Sequence, residues 1–399
     1  MTYSQKSGSI KPSSTLALSA RANALKAQGR AILNFTVGEP DFDTPRHIAE
    51  AGIKAINEGK TRYTTSSGTP KLREAICRKL LNDNGLAYRP EEIVVSNGAK
   101  QSLFNIFTAA LNEGDEVLIP SPYWLSYPAM VKIAGGRPVF VQTRADNGFK
   151  AAAEQLEAAL TPRTRAVVIN TPSNPTGSVY SKQELERIAE LAVKHDLLVV
   201  SDEIYEKLNF DADAPHISIA SLGSEVFKQT AVVNGVSKSY AMTGWRIGYA
   251  ACNAELAGII DNIQSHCASN PNSIAQEAAL AAISGPQACV DAMRAEFRRR
   301  RDYIYGRMSG MKGISVTRPR GAFYVFADVS EICARGGFED AAAFSERLLE
   351  ECGVAVVPAA DFGMPGFVRF SFSLSLEEIR QGMDLLEYFI ENNFQRGVQ

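Results

Sequence analysis

Short apolar runs recur through the middle of the chain, separated by polar or amphipathic segments of helical length. The runs lie at residues 93–95, 116–119, 138–141, 165–170, 197–200, 231–236 and 247–252. They are rich in small and β-branched residues, which is typical of strands buried on both faces. Segments at 101–111, around 130–133 and at 181–195 carry apolar residues at helical spacing, and Ser181 with Glu184 predicts a capping box at the start of the last segment. This alternation predicts a three-layer α/β/α large domain with a mainly parallel sheet.

The two ends of the chain follow a different pattern. Residues 16–27 are weakly helical, and helices are predicted at 46–58 and 70–84, the second with Thr69 as its N-cap. Further helices are predicted at 255–265, 273–284 and 287–308, and the arginine run at 298–301 is expected to be a solvated face. Strands at 322–327, 354–357 and 367–372 with a helix at 341–352 predict a smaller α+β domain. We therefore predict an N-terminal arm with part of the small domain at 1–45, a large cofactor-binding domain at 46–290 and a C-terminal small domain at 291–399.

Composition narrows the classes of partner. The 399 residues include 22% charged and 45% hydrophobic side chains, which is ordinary for a soluble globular protein, and the net charge of -2 favours neither a nucleic-acid nor a membrane partner. No apolar run approaches the roughly 20 residues of a membrane helix, and the polar N-terminus lacks the apolar core of a signal peptide. The six cysteines and four histidines show no paired or metal-ligand spacing. We therefore expect a cytoplasmic protein with free thiols and no bound metal.

Chemically distinctive residues follow five of the predicted strands. They are Gly98, Trp124, Asn174, Asp202 and Lys238. Sheets of this kind bind ligands beyond the carboxyl ends of their strands. Each residue alone would also fit an ordinary turn or core position, but together they predict a site at one edge of the sheet.

The lysine of this group lies between the apolar runs 231–236 and 247–252. Burial of Lys238 there would disfavour its ammonium form and lower its pKa, which frees a nucleophilic amine able to form a Schiff base. Ser237 and Arg246 are suited to bind an anion beside it. An amine, an anion site and nearby aromatic side chains together fit pyridoxal phosphate. The alternative for Lys238 is a surface lysine in a loop.

Other residues at the predicted edge could serve the same cofactor. Gly98 and Ala99 open a helix, whose first backbone N–H groups can bind phosphate. Asp202 could accept a hydrogen bond from a protonated pyridine nitrogen, which makes the ring an electron sink. The alternatives are an ordinary strand-to-helix turn for Gly98 and Ala99, and a helix cap or a metal ligand beside Glu203 for Asp202.

A second set of side chains could act on the ring and the substrate. Asn174 and Tyr205 could donate to the ring phenolate oxygen and lower the pKa of the cofactor imine, and Trp124 could stack on the ring. Arg369 points opposite to its apolar neighbours in the last strand, into a cleft, and offers a carboxylate a bidentate grip. Lys238, once displaced by a substrate amine, could move the proton between the substrate Cα and the cofactor C4′. The alternatives are a turn for Asn174, core packing for Trp124 and a salt bridge for Arg369.

Five motifs carry a family resemblance. They are Ser-Lys-x-x-x-Met-Thr-Gly-Trp-Arg at 237–246, Asn-Pro-Thr-Gly at 174–177, Ser-Asp-Glu-Ile-Tyr at 201–205, Ser-Pro-Tyr-Trp at 121–124 and Gly-Glu-Pro-Asp-Phe-Asp-Thr-Pro at 38–45. In this combination and order the chain resembles the class I aminotransferases of fold type I, which use pyridoxal phosphate. The resemblance covers nearly the whole chain from residue 11. With Lys-Pro-Ser at 11–13, the chain is most similar to the bacterial aspartate aminotransferase subgroup.

The resemblance implies a homodimer with shared active sites. Ser237 and Arg246 match phosphate ligands, and Lys238 matches the Schiff-base lysine. Tyr63 matches a tyrosine that reaches the phosphate of the neighbouring subunit. One departure is local, because residues 96–99 stand where relatives often carry a more glycine-rich turn.

The resemblance also implies a set of substrate contacts. They are Thr15, Gly38, Lys100, Trp124, Asn174 and Arg369. Lys100, which lies beside the predicted phosphate turn and so also among the cofactor contacts, matches a lysine that helps hold the distal carboxylate of a dicarboxylic substrate.

The activity implied is amino transfer between L-aspartate or glutamate and a 2-oxo acid such as 2-oxoglutarate, by a ping-pong mechanism through pyridoxamine phosphate. Alternatives of the same fold are an aromatic or prephenate aminotransferase and a β-eliminating lyase. A nicotinamide dehydrogenase is disfavoured because no Gly-x-Gly-x-x-Gly follows the first strand. A non-catalytic sensor domain is disfavoured because no DNA-binding segment is appended.

Overall fold

The computed structural model describes residues 8, 10, 12, 14–211, 213 and 215–396. Lys11 and Ser13 of the predicted N-terminal motif, and with them part of the predicted arm, lie outside the described residues. The α-helices are α1 Ser14–Ala27, α2 Arg46–Asn57, α3 Pro70–Asn84, α4 Ala99–Ala110, α5 Ser126–Ile133, α6 Ala153–Ala158, α7 Lys182–Lys194, α8 Ser224–Lys228, α9 Ala254–Cys267, α10 Ser273–Ser284, α11 Ala288–Met308, α12 Ser330–Gly336, α13 Ala341–Cys352 and α14 Leu376–Arg396. The strands are β1 Leu33–Asn34, β2 Ile93–Ser96, β3 Glu116–Ser121, β4 Arg137–Gln142, β5 Thr164–Asn170, β6 Leu198–Asp202, β7 Thr230–Gly235, β8 Gly248–Ala251, β9 Ser315–Val316, β10 Tyr324–Asp328, β11 Val354–Ala355, β12 Val357–Pro358 and β13 Phe367–Ser371.

A central sheet organises the larger part of the molecule. Within the described part of the chain its strand order is β2-β8-β7-β6-β5-β3-β4. Strands β4, β3, β5, β6 and β7 pair in parallel, whereas β8 runs antiparallel to both of its neighbours. Strand β2 therefore points the same way as the parallel strands, and the carboxyl ends of β2, β3, β5, β6 and β7 share one edge. The predicted mainly parallel sheet is confirmed.

Both faces of this sheet are covered by helices. Successive side chains of a strand point to opposite faces, and here both directions are apolar. In β7, Ala231 packs in a core with α4, α5 and α9, and Val232 packs in another core with α2, α3 and α10. In β3, Val117 joins the first of these cores, whereas Leu118 packs with α6, α7 and α8. This is the predicted three-layer α/β/α arrangement.

A smaller antiparallel sheet, in the order β12-β13-β10-β9, packs with α11, α12, α13 and α14. Strand β1 pairs in parallel with β11, which ties the N-terminal segment to the C-terminal part of the chain. The predicted boundary between residues 290 and 291 falls inside α11, and the three predicted domain ranges stay predictions. None of the described helices combines the length and hydropathy needed to span a bilayer.

The prediction that the arginine run at 298–301 is a solvated face is confirmed for Arg298 and Arg299, which are exposed, and is wrong for Arg300 and Arg301, which are buried. Arg300 is only 5% exposed and donates from Nη1 to Asp41 Oδ1 at 2.7 Å. Arg301 is fully buried and donates to the carbonyl oxygen of Pro319 at 2.8 Å. A buried guanidinium requires partners of this kind, and both acceptors come from other elements of the fold.

Two local expectations also need correction. Thr69 occupies the predicted N-cap position of α3, but its side chain makes no capping hydrogen bond, and its backbone N–H donates to Gln276 Oε1 at 2.7 Å. The strand predicted at 354–357 is interrupted at Val356, so that β11 and β12 belong to different sheets. In contrast, the predicted capping box of Ser181 and Glu184 at the start of α7 is confirmed.

Candidate active site

The residues predicted at the carboxyl edge of the sheet converge on one cavity of about 380 Å³. The predicted residues that line it are Thr15, Gly38, Ala99, Lys100, Trp124, Asn174, Asp202, Tyr205, Ser237, Lys238, Arg246 and Arg369. Gly98 directly precedes the lining residue Ala99. Tyr63 lies outside the lining and is 89% exposed. The geometry thus gathers all but two of the predicted site residues in one place.

Lys238 lies in the connection between β7 and β8 and lines the cavity. Its Nζ donates to the carbonyl oxygen of Gly38 at 2.6 Å. Burial, with the positive charges of Arg246 and Arg369, lowers the pKa of Lys238 to about 8. A sizeable fraction of this amine is therefore neutral near physiological pH, and a neutral amine is the nucleophilic form.

A buried carboxylate faces the same cavity at the end of β6. Asp202 Oδ2 accepts a hydrogen bond from the Tyr127 hydroxyl at 2.6 Å, and Oδ1 accepts one from the backbone N–H of Ile204 at 3.2 Å. Burial raises the pKa of Asp202 to about 6, while the bond from Tyr127 acts in the opposite direction. Asp202 can therefore be ionised at neutral pH and accept a bond from a cationic N–H group.

Tyr127 is a site residue that was not predicted from the sequence. It lies three residues after Trp124, at the start of α5, and its ring contacts the Trp124 ring edge-on at 5.3 Å. Trp124 precedes α5, and the backbone N–H of Tyr127 donates to the Trp124 carbonyl oxygen at 3.0 Å. The short spacing in sequence from Trp124 was the available signal. The distance across the sheet from α5 to the end of β6 could not be read from that spacing.

The start of α4 and the end of the Lys238 segment form a cationic corner. Gly98 has φ +87°, and a Cβ at this position would collide with the guanidinium of Arg246. Arg246 donates to the carbonyl oxygens of Thr243 and Asn97 at 2.9 and 3.2 Å. Glycine is therefore needed at 98 both for its backbone conformation and for the approach of the arginine. A helix N-terminus beside a guanidinium favours an anion.

Arg369 on β13 presents a buried guanidinium to the cavity. It is 2% exposed, and it donates to Asn174 Oδ1 and to the carbonyl oxygen of Thr36, each at 3.0 Å. Its Nε is buried without a partner among the described residues. The Arg369 guanidinium carbon lies 4.4 Å from the centre of the Tyr324 ring. A guanidinium so placed still has N–H groups for an incoming carboxylate.

Two buried tyrosines meet beside this arginine. The hydroxyl oxygens of Tyr205 and Tyr324 are 3.0 Å apart, and both residues line the cavity. Tyr205 follows β6, whereas Tyr324 begins β10, which is paired with the strand of Arg369. Tyr205 was predicted as a site residue from its motif, whereas Tyr324 was not, because only the pairing of β10 with β13 brings Tyr324 to the site.

The mouth of the cavity carries a second cation. Lys100 Nζ lies 4.9 Å from the centre of the Trp124 ring, and burial together with the charge of Arg246 lowers the pKa of Lys100. Thr15 Oγ1 is buried at the cavity without a partner among the described residues. Lys100 and Thr15 are therefore available to a polar ligand that already contacts Arg369.

A polar network holds the turn that presents Tyr205. Glu203 Oε2 is 3.0 Å from His216 Nε2, and its other oxygen accepts bonds from two serine hydroxyls. Glu203, Glu206 and His216 bring potential metal-ligand atoms within 4.8 Å of one another, a grouping that the sequence spacing did not reveal. Although burial opposes it, the charge of Lys79, followed by that of His216, lowers the pKa of Glu206 to about 2. The Lys79 ammonium already supplies a positive charge here, which favours a structural role for the group.

Comparison with known proteins shows which family the chain resembles. The family model described as "Aminotransferase class I and II" matches residues 30–386. The chain is 48% identical to an aspartate aminotransferase of Geobacillus stearothermophilus, over 98% of this chain and 99% of that protein. It is 47% identical to a probable aspartate/prephenate aminotransferase of Aquifex aeolicus, over 96% and 97% of the two chains.

A solved structure of similar shape agrees with these relatives. An aspartate aminotransferase from Thermus thermophilus with maleate aligns with a TM-score of 0.93 and 44% identity, over 97% of this chain and 99% of that chain. Both the sequence and the architecture therefore match along nearly the full length. The chain belongs to the aminotransferase class I and II family.

Proposed function

We propose that this aminotransferase uses pyridoxal phosphate to exchange the amino group of L-aspartate or glutamate with a 2-oxo acid such as 2-oxoglutarate. The observation that carries the proposal is the meeting of Lys238, Asp202 and Arg369 in one cavity. An amine of lowered pKa, a buried carboxylate and a carboxylate-binding guanidinium are three distinct requirements of this reaction. The names of the relatives support aspartate as the donor.

The residues present fit the cofactor. A cavity of about 380 Å³ lies within the usual range for small-ligand sites, roughly 300–1,000 Å³. The absence of a side chain at Gly98 lets the Arg246 guanidinium approach the start of α4, and the α4 N-terminus, Ser237 and Arg246 together would hold the phosphate. Asp202 would receive the pyridine N–H, and Trp124 would cover the ring. When bound, pyridoxal phosphate supplies an aldehyde that condenses with amines and a ring that accepts electrons from the substrate Cα.

The chain's own groups would then divide the work. Lys238 holds the cofactor and, once released, moves the proton at the substrate Cα. Asp202 in its ionised form keeps the facing N–H group protonated. Tyr205 and Asn174 donate to the ring oxygen, and the Asn174 amide nitrogen makes no hydrogen bond with the described residues. Arg369 uses its unpaired N–H groups for the substrate α-carboxylate.

We further propose that Lys100 binds the distal carboxylate of a dicarboxylic substrate, with Thr15 beside it and Gly38 closing over the α-carboxylate side. The α-carboxylate and the distal carboxylate of the substrate cannot both bind Arg369, because two of its five N–H groups already donate to Asn174 and Thr36 and a bidentate α-carboxylate takes two more. Lys100 supplies the second cation at the cavity mouth, and its Nζ is held near Trp124.

The proposal includes a homodimer with shared sites. Tyr63 is 89% exposed and lies outside the cavity of its own chain, so it would serve the phosphate of a second copy. Two apolar side chains on α2, Ile53 and Ile56, are also 58% and 53% exposed, as expected of a surface that a second copy covers. We also propose a cytoplasmic location, because the spacing of the cysteines in the sequence suggests free thiols and not disulfides.

Single-turnover chemistry tests the proposal. We expect the cofactor-loaded protein, given L-aspartate alone, to release a single equivalent of oxaloacetate per active site without free ammonia. Further turnover should begin only when 2-oxoglutarate is added. With a β-substituted alanine such as L-cysteine, which carries a β leaving group, continuous release of ammonia and pyruvate without oxaloacetate release from aspartate would instead indicate the β-eliminating lyase. No oxo acid from aspartate at all would refute the aspartate aminotransferase.

The competing proposal is an aromatic or prephenate aminotransferase. The name of the Aquifex aeolicus relative supports prephenate as a substrate to test. A panel of amino donors and oxo acids separates it from the main proposal. We expect kcat/KM for aspartate to exceed that for phenylalanine. The reverse order, or preferred amination of prephenate, would move the assignment to this second activity.

A further inference from the structure

Tyr324 is a cavity residue to which neither the motifs nor the proposed chemistry assign a task. It is 1% exposed and lies at the start of β10. Its two ends have different neighbours: the ring lies 4.4 Å from the guanidinium carbon of Arg369, and the hydroxyl lies 3.0 Å from that of Tyr205. One side chain therefore touches both the proposed substrate clamp and a proposed cofactor contact.

The ring end bears on the orientation of Arg369. Two protein acceptors, on Asn174 and Thr36, hold the outer nitrogens of the guanidinium, while Nε has no partner within the described part of the chain. Two hydrogen bonds to outer nitrogens still allow the group to rock about the line that joins them. An aromatic face in contact with the guanidinium opposes that movement and attracts its charge. The ring of Phe362 is more distant, at 5.3 Å.

The hydroxyl end bears on the direction of the Tyr205 O–H bond. Each phenol carries a single proton, so in this pair one oxygen donates and the other accepts. The Tyr324 hydroxyl makes no other hydrogen bond with the described residues. If Tyr205 donates into the cavity, its oxygen can accept only from Tyr324, and a chain of two bonds in one direction strengthens both.

We propose that Tyr324 is a positioning residue with two separable tasks: its ring holds the guanidinium of Arg369 for the substrate carboxylate, and its hydroxyl donates to Tyr205 so that Tyr205 donates to the cofactor ring oxygen. The inference rests on the proposed function and adds to it a residue that the family motifs do not supply. Since the two tasks use different atoms, two substitutions distinguish them.

Tyr324→Phe removes the hydroxyl and keeps the ring. Maleate, a non-reacting C4 dicarboxylate, should bind the variant within about twofold of wild type. The pH titration of the colour of the lysine-bound cofactor should move upward by roughly half a unit to one unit, since one hydrogen bond to the ring oxygen is weakened. Tyr180→Phe is the matched control, because Tyr180 is a buried tyrosine whose hydroxyl accepts from the Ala151 N–H, away from Tyr205. That control should titrate like wild type.

Tyr324→Leu removes the ring as well. We expect maleate to bind about 3- to 30-fold more weakly than to the Phe variant, as the loss of a cation–π contact implies. Calorimetry on both the cofactor-free and the loaded protein gives this comparison without any turnover. Tyr324→Met, which fills the space with a flexible apolar chain, gives the same comparison should the Leu variant not fold.

Equal maleate affinities of the Phe, Leu and Met variants would overturn the ring task. An unshifted titration in Tyr324→Phe, together with a shifted one in Tyr205→Phe, would overturn the hydroxyl task. Failure of the proposed function has a different signature: wild-type protein that releases no oxaloacetate from aspartate. Maleate binding to the cofactor-free variants still decides the ring task in that case.

Discussion

The replacement of Arg369 by lysine probes the substrate clamp while it keeps a positive charge in the buried site. Of the five guanidinium N–H groups, two are used by Asn174 and Thr36, so three remain for a ligand. A bidentate carboxylate takes two of these. Lysine can supply the charge and one bond, and the second bond is lost.

The magnitude follows from that count. A hydrogen bond to a charged group contributes about 1.5–3 kcal/mol, which corresponds to a roughly 10- to 150-fold weaker Kd. We expect maleate and aspartate to lose affinity by this factor in Arg369→Lys. The variant should also unfold at a lower temperature, because lysine has fewer N–H donors than arginine for the buried oxygens of Asn174 and Thr36.

A matched control separates binding from stability. Arg301 is fully buried and donates to the Pro319 carbonyl oxygen at 2.8 Å, but it does not line the cavity. Arg301→Lys should therefore lower Tm and leave the Kd of maleate unchanged. Calorimetric titration with maleate and thermal unfolding of both variants form the assay. An Arg369→Lys protein that binds maleate as tightly as Arg301→Lys would refute the assignment of the clamp.

Three further changes test other parts of the site. Lys100→Ala should reduce kcat/KM for aspartate far more than for phenylalanine, because only the dicarboxylic substrate needs a cation at the cavity mouth; an equal loss, measured side by side, would remove Lys100 from specificity. The pKa of Asp202 is raised to about 6 by burial and would be higher still without the bond from Tyr127. Cofactor affinity should accordingly weaken as pH falls through about 6, and Tyr127→Phe should move that loss upward by roughly one pH unit; an unmoved profile would contradict the role. Because burial lowers the pKa of Lys238 to about 8, the rate of colour formation with pyridoxal phosphate should rise through that pH, and a midpoint near that of an ordinary lysine would contradict the burial argument.

The local pattern of apolar and polar residues was sufficient to predict the sheet and the convergence of its strand ends. Apolar runs such as 231–236 are bounded by the polar residues that follow them, and the geometry of parallel strands then brings Lys238 and Asp202 together. Neither prediction depends on the order of the strands in the sheet.

Contacts that depend on register or on long-range packing could not be predicted. Tyr127 reaches Asp202 only because α5 lies over the end of β6, and Tyr324 reaches Arg369 only through the pairing of β10 with β13. The burial of Arg300 likewise depends on Asp41, which lies 259 residues away in sequence. A run of charges looks solvated until such partners are known.

The central claim is that the neutral amine of Lys238 holds pyridoxal phosphate covalently. Borohydride reduction of the loaded protein, followed by mass spectrometry of its peptides, tests this most directly. The account predicts a permanent mass increase of one reduced cofactor on the peptide that contains Lys238, and none in Lys238→Ala. Cofactor found on another lysine, or an unmodified Lys238 in a protein that still transfers amino groups, would contradict it.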